Sequence, residues 1–224
     1  MSNAARPARR AETDAAVTFR GAVSAIEAGI EQQRRARPEL EFDTQPAPRK
    51  LAPYAAAVGA TVSEPMPRRR SARPGDDEAD AEGSEIGWGS FVLLYDPASQ
   101  AGWGGPFRVV IYVRADLEPE IAADPLAGQV GWTWLVESLD ARTAGYQQAS
   151  GTVTRVVTEG FGSKSDEPVT TGFELRASWS PGADDDLGTH LAAWCDTLCT
   201  ASGLPPLPDG VRALRVPHSR RRRP

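Results

Sequence analysis

The sequence predicts an α+β fold: an antiparallel sheet of about four strands, with helices packed mainly on one face and a further helix at the N-terminus. Three observations predict it. Two stretches alternate apolar and polar side chains with period two, Phe107 to Ala115 and Gly172 to Trp179. Three others carry apolar stripes at the helical repeat. From Ile86 onward the elements follow in a β-β-α-β-β-α order, with tight strand connections that favour antiparallel pairing.

Residues 1–12 are rich in Ala and Arg and are expected to form a disordered tail. A helix is expected from about Asp14 to Arg35, because Phe19, Val23, Ile26 and Ile30 recur at four-three-four spacing. Thr13 or Asp14 can cap it, and Pro38 prevents its continuation. Pro46 and Pro48 favour extended backbone. Pro53 suits the first turn of a short helix through Val58, with a short strand near Ala60 to Ser63. Residues 65–85 hold Arg68-Arg69-Arg70 and then Asp76-Asp77-Glu78, almost without apolar side chains. They read as a flexible charged insertion in a single domain spanning 13–214.

Phe91 to Tyr95 reads as a strand closed by Asp96-Pro97, followed by a glycine-rich loop containing Trp103-Gly104-Gly105. In the strand Phe107 to Ala115, Phe107, Val109, Ile111 and Val113 share one face. Arg108, Val110, Tyr112 and Arg114 share the other. Asp116 to Glu120 can start a short helix, and a longer one is expected from Gln129 to Arg142. Strands Gly151 to Glu159 and Gly172 to Trp179 follow, then a helix from Asp184 to Ser202 with the stripe Leu187, Leu191, Trp194 and Leu198. Gly203 and Pro205-Pro206 stop it. Residues 215–224 read as a disordered basic tail. The two strand–strand–helix units resemble each other through few identities, which fits an internal duplication and chance alike.

The net charge of −5 conceals an asymmetry. Between Asp76 and Thr200 stand 21 Asp/Glu and 6 Lys/Arg, a net −15, while the flanks are net +10. An acidic body repels nucleic acid at long range, so RNA or DNA contact would fall to the basic tails. No apolar run reaches the ~20 residues of a membrane helix, and the N-terminus lacks the apolar core of a secretory signal. A cytoplasmic protein with no membrane contact is expected. Cys195 and Cys199 sit four apart on one helix, with only His190 and His218 as further soft ligands. Buried free thiols are favoured over a metal or redox site.

Several blocks are distinctive as strings. They include Pro46-Ala47-Pro48-Arg49-Lys50-Leu51-Ala52-Pro53-Tyr54-Ala55, Trp103-Gly104-Gly105-Pro106-Phe107-Arg108, and Tyr112-Val113-Arg114-Ala115-Asp116-Leu117-Glu118-Pro119-Glu120. With Ser150 to Arg155, Arg176 to Trp179 and Leu191 to Trp194, the chain resembles the actinobacterial domain-of-unknown-function family 3000 from about Phe19 to Val211. The resemblance implies no activity, substrate, cofactor or catalytic residue. It gives only a hint toward RNA metabolism, since relatives of this kind are often encoded beside a ribonuclease D-like exonuclease.

The candidate site is a sheet face carrying Arg108, Tyr112, Arg114 and Arg176, joined by Arg155 if strand register allows. Guanidinium forks suit carboxylate or phosphate, and Tyr112 offers a stacking platform. The plainer alternative is cross-strand pairing with Glu174 and Glu159. A second candidate is the Trp103 loop, whose glycines permit close backbone approach, the alternative being a tryptophan that caps the core edge. Asp116, Glu118, Glu120 and Asp124 supply oxygen ligands that could hold Mg²⁺ or Ca²⁺, but acidic residues also belong at helix starts, and no EF-hand spacing is present. His190 stands alone, with no nucleophile elbow or paired histidines, so no catalytic residue and no cofactor are assigned. The features favour a non-enzymatic interaction module that binds a protein or an anionic ligand through the sheet face and the Trp103 loop. The alternatives are a small-substrate enzyme using arginine and carboxylate groups, and an RNA-associated accessory protein.

Overall fold

The computed structural model describes residues 5–64, 84–143, 145–182, 185–204 and 206–207. The first four residues, nearly all of the charged insertion and the basic C-terminal tail lie outside these. Eleven elements follow in order: α1 (Ala5–Ala36), β1 (Leu40–Thr44), β2 (Tyr54–Ser63), β3 (Glu85–Tyr95), β4 (Phe107–Asp116), α2 (Pro119–Ala123), α3 (Ala127–Arg142), β5 (Tyr146–Thr158), a 3-10 turn (Gly162–Lys164), β6 (Thr170–Pro181) and α4 (Leu187–Ala201). The class is the expected α+β, but the sheet has six strands rather than about four, in the order β1-β2-β3-β4-β6-β5. Every neighbouring pair is antiparallel.

Two expectations fail for physical reasons. Tyr54 to Val58 is not a helical turn but the first half of β2, paired with β3 from Tyr54↔Tyr95 onward. The Ala55-Ala56-Ala57 run favours helix by propensity. Pairing with β3 along this run, joined by β1 from Val58 onward, outweighs a preference of about half a kcal/mol per residue. The first helix begins at Ala5, so residues 5–12 are not a tail. Their Ala, Arg and Glu content makes them good helix formers, and Pro7 falls in the first turn, where its missing N–H costs no bond.

All three long helices lie on one side of the sheet. The central one, α4, packs over β3 and β4, α3 covers β5, and α1 runs along the outer flank of α4. The core is the inward row of each strand, including Phe91, Leu93, Val109, Ile111, Val113, Phe173, Leu175 and Trp179. It meets Leu135 and Leu139 of α3 and Leu191, Trp194 and Leu198 of α4. Glycines set how closely the layers approach. At Gly89 an added Cβ would lie 2.5 Å from the Tyr112 carbonyl oxygen and 3.3 Å from the Trp194 ring. At Gly131 it would lie 2.2 Å from the Phe173 ring. Trp194 stacks obliquely on Phe91 at 5.8 Å, and its indole N–H donates to the Tyr112 carbonyl at 3.3 Å. Arg142 of α3 pairs with Asp196 of α4 at 2.7 Å.

Among the described residues no helix is long and apolar enough to cross a membrane. Because α1 joins α4 instead of crossing the sheet, no described helix covers the reverse side of β2, β3, β4 and β6.

The packing generates a paired stability test. Gly89→Ala is expected to cost about 1–3 kcal/mol, because β4 backbone must move to admit the methyl group. Gly21→Ala, on the exposed side of α1 with nothing within 4 Å, is expected to add about 0.5–1 kcal/mol. Urea unfolding of both variants checks the contrast.

Candidate functional site

The pleat assigns each predicted side chain to a side. Trp88, Ser90, Val92 and Leu94 of β3 stand in register with Arg114, Tyr112, Val110 and Arg108 of β4. Those in turn face Glu174, Arg176 and Ser178 of β6, with Ser180 one step further along the strand. Since Phe91, Ile111 and Leu175 fill the helical side, alternation puts Arg108, Tyr112, Arg114 and Arg176 together on the open side. The register does not allow Arg155 to join them. It stands opposite Phe173, hence on the helical side, and its guanidinium donates to the carbonyls of Ala122 at 3.0 Å and Asp124 at 2.7 Å. There it satisfies the end of α2, and Glu159 is not its partner.

At the centre of the open face the rings of Trp88 and Tyr112 lie 4.9 Å apart. The Arg176 guanidinium sits 5.1 Å from the Tyr112 ring centroid and pairs with Glu174 at 3.0 Å. The Tyr112 hydroxyl bonds to the same carboxylate. Burial first, and then that bond and the Glu174 charge, push the phenol above its ordinary value against the opposing charges of Arg176 and Arg114. Cation, ring and carboxylate thus hold one another, at about 0.5–1 kcal/mol for an exposed cation–π contact. Arg114, beside Glu174 in register, points into solvent.

Arg108 differs from the other arginines of the face. It is only 9% exposed, and burial lowers its pKa. Its Nη2 donates to Ser178 Oγ at 2.6 Å and its Nη1 to Ser180 Oγ at 3.4 Å. The Trp103 loop borders this end of the sheet. Gly104 lies beside Gln147, the register partner of Ser180. Gly102 and Gly104 flank the half-buried Trp103 at φ of 83° and 77°, so the loop does use the backbone freedom of glycine. Gln100 ties the loop to the Pro-rich connection through the Leu51 carbonyl at 2.8 Å. That connection, with Ala55, lines a shallow cleft of about 480 Å³ containing Arg49 and no carboxylate.

Trp88, Ser178 and Ser180 belong to the face and were not singled out from sequence. The signal for Trp88 was present in Gly87-Trp88-Gly89, where two glycines on one side of a strand mark the packed face and leave the tryptophan on the other.

The remaining candidates resolve into structural roles. Asp124 Oδ1 accepts from the Leu126 amide at 2.8 Å. Among the described residues no three His, Cys, Asp or Glu side chains are grouped to hold a metal. Cys195 and Cys199 are free and buried. Burial raises both thiols, Cys199 to about 12. Arg68-Arg69-Arg70 and Arg220 to Arg223 lie outside the described residues.

His190 is fully buried between two partners. Its Nδ1 accepts from the Trp179 indole N–H at 3.0 Å, which leaves the proton on Nε2, facing Asp185 Oδ2 at 3.0 Å. Burial lowers its pKa, although the Asp185 bond and charge pull the other way. The folded state therefore holds the neutral ring and binds fewer protons than the unfolded chain. Stability present above the unfolded value of about 6.5 should decline as pH falls below it, by at most about 1.4 kcal/mol per pH unit, until the lower folded value is passed. Denaturant unfolding between pH 7.5 and 5.5 should show this slope in the parent chain and a flatter one in His190→Gln.

Compared with known proteins, the chain finds no match among curated proteins and none among solved structures. A family model described as "Protein of unknown function (DUF3000)" matches residues 15–212, from within α1 past the end of α4. The match takes in every strand of the sheet and all three long helices but for the first turns of α1, and the chain belongs to that family.

Proposed function

We propose that this chain is a non-enzymatic binding module that takes a protein partner on the open side of its sheet, with the Trp103 loop at the margin. One observation carries the reading. The face holds a preorganised Trp88–Tyr112–Arg176 stack, with Arg114 free beside it, and no described helix covers it. Tryptophan, tyrosine and arginine are the residues that dominate binding energy at protein interfaces. A flat sheet face offers them to a matching surface rather than enclosing a small substrate. The carboxylate nearest the arginines, Glu174, is already engaged by Arg176 and Tyr112, which favours a structural duty over service as a general base. Two free buried thiols are at home in a reducing compartment, which supports a cytoplasmic setting.

The test starts with affinity purification from the native host and continues with the recovered partner in a binding assay. The double variant Trp88→Ala, Arg114→Ala should keep the parent's cooperative unfolding and bind the partner at least tenfold more weakly. A control on α3, Glu137→Lys, should bind as the parent does. Unchanged binding by the double variant would remove the open face from the interaction.

A further inference from the structure

The Arg108 end of the open face carries a more specific inference. A buried cation is normally matched by a carboxylate, because leaving a charge uncompensated out of water is costly. This domain has acidic side chains in abundance and uses them on other cations: Glu174 on Arg176, Asp196 on Arg142, Glu31 on Arg34 and Glu167 on Lys164. Arg108 has none within ion-pair distance among the described residues. Its described partners are two neutral hydroxyls, Ser178 and Ser180.

The hydroxyl geometry is instructive. Both serine oxygens accept from the guanidinium, so their own O–H hydrogens stay available to donate elsewhere. A guanidinium has five N–H donors, and two are used here. The result is a nearly enclosed cluster of donors around one positive charge, with Ser180 and Leu94 buried beside Arg108. Leu94, opposite Arg108 in register and buried, walls it on one side. Gln147, opposite Ser180, borders it on the other.

We propose that Arg108, Ser178 and Ser180 form a socket for a single carboxylate group, which anchors the ligand of the open face. The charge count selects the chemistry. One guanidinium neutralises one carboxylate and matches its two oxygens as a fork. A phosphate near neutral pH carries more charge than this socket cancels, and the surrounding body, net −15 between Asp76 and Thr200, opposes the excess. The carboxylate can come from a free small acid or from an acidic side chain of a protein. This inference rests on the open face being a binding surface.

The experiment uses the full chain labelled for NMR, at constant ionic strength. Acetate represents a free acid, the capped peptide acetyl-Gly-Glu-Gly-amide a protein side chain, and inorganic phosphate and chloride are the comparison anions. Acetate or the peptide should shift the Arg108 Nε–H and the Ser178 and Ser180 amides saturably, at least tenfold more tightly than phosphate, and the tighter of the two identifies the source. Arg108→Met should abolish the effect, and the double variant Ser178→Ala, Ser180→Ala should weaken it several-fold. The second variant stands in if the first does not fold. The socket is refuted by no saturable shift from either carboxylate, by equal response to phosphate or chloride, or by an effect that survives in a folded variant. Loss of partner binding on Trp88→Ala, Arg114→Ala without any carboxylate response would keep the binding-module reading and discard the socket. A carboxylate response with intact partner binding would do the reverse.

Discussion

The architecture depends on Trp194 lying against a patch of sheet that glycine has cleared. Without a Cβ at Gly89, the indole of α4 reaches the strands and bonds the Tyr112 carbonyl at 3.3 Å while touching Phe91. That contact seats α4 centrally over β3 and β4, and α1 and α3 then take the places on either side of it. With three helices side by side, one face of the sheet receives all the helical cover among the described residues. The same contact also ties core to surface, because the residue whose carbonyl holds Trp194 is the one whose ring carries Arg176 on the reverse side.

Much of this was legible in sequence wherever a periodic pattern decided a side. Alternation along Phe107 to Ala115 and Gly172 to Trp179 predicts that Arg108, Tyr112, Arg114 and Arg176 can share a face, because pleat parity is a local property. Arg155 was beyond reach for the same reason. Its side depends on which residue of β6 it meets, and the Gln147–Ser150 irregularity that sets the register of β5 leaves no clear mark in the string. The first two strands were obscured by composition. Prolines fill the connection before β2, and alanines fill its start, so propensity argued against a strand that pairing with β3 then imposed. Nor can any pattern of alternation say that Arg108 is buried beside serines while Arg114 is free. That difference comes from the neighbours, since Ser178, Ser180 and the buried Leu94 surround Arg108 while Arg114 stands exposed.

The arginines on the strands show how one residue type serves different ends. Arg155 supplies donors to the last carbonyls of α2, where a cation meets the negative end of a short helix. Arg176 is neutralised by Glu174 and spreads over Tyr112, which stiffens the face without leaving a charge to spare. Arg114 stays hydrated at the surface, where a partner can recruit it at little desolvation cost. Of these four strand arginines, only Arg108 is both withdrawn from water and unmatched by an acid among the described residues.

An acidic domain that keeps such a group can be understood through selectivity. Long-range repulsion from the body turns away polyanions, so nucleic acid and highly phosphorylated ligands are disfavoured before contact. In the proposed role, a lone buried guanidinium would act only at short range, once a ligand had docked on the apolar and aromatic part of the face. Binding there would remove an existing penalty as well as form new bonds, because the counter-charge the fold omits arrives with the ligand. An internal carboxylate at the same place would stabilise the free protein and close the socket. Omitting one sacrifices stability at Arg108, and recognition is the gain that would offset it.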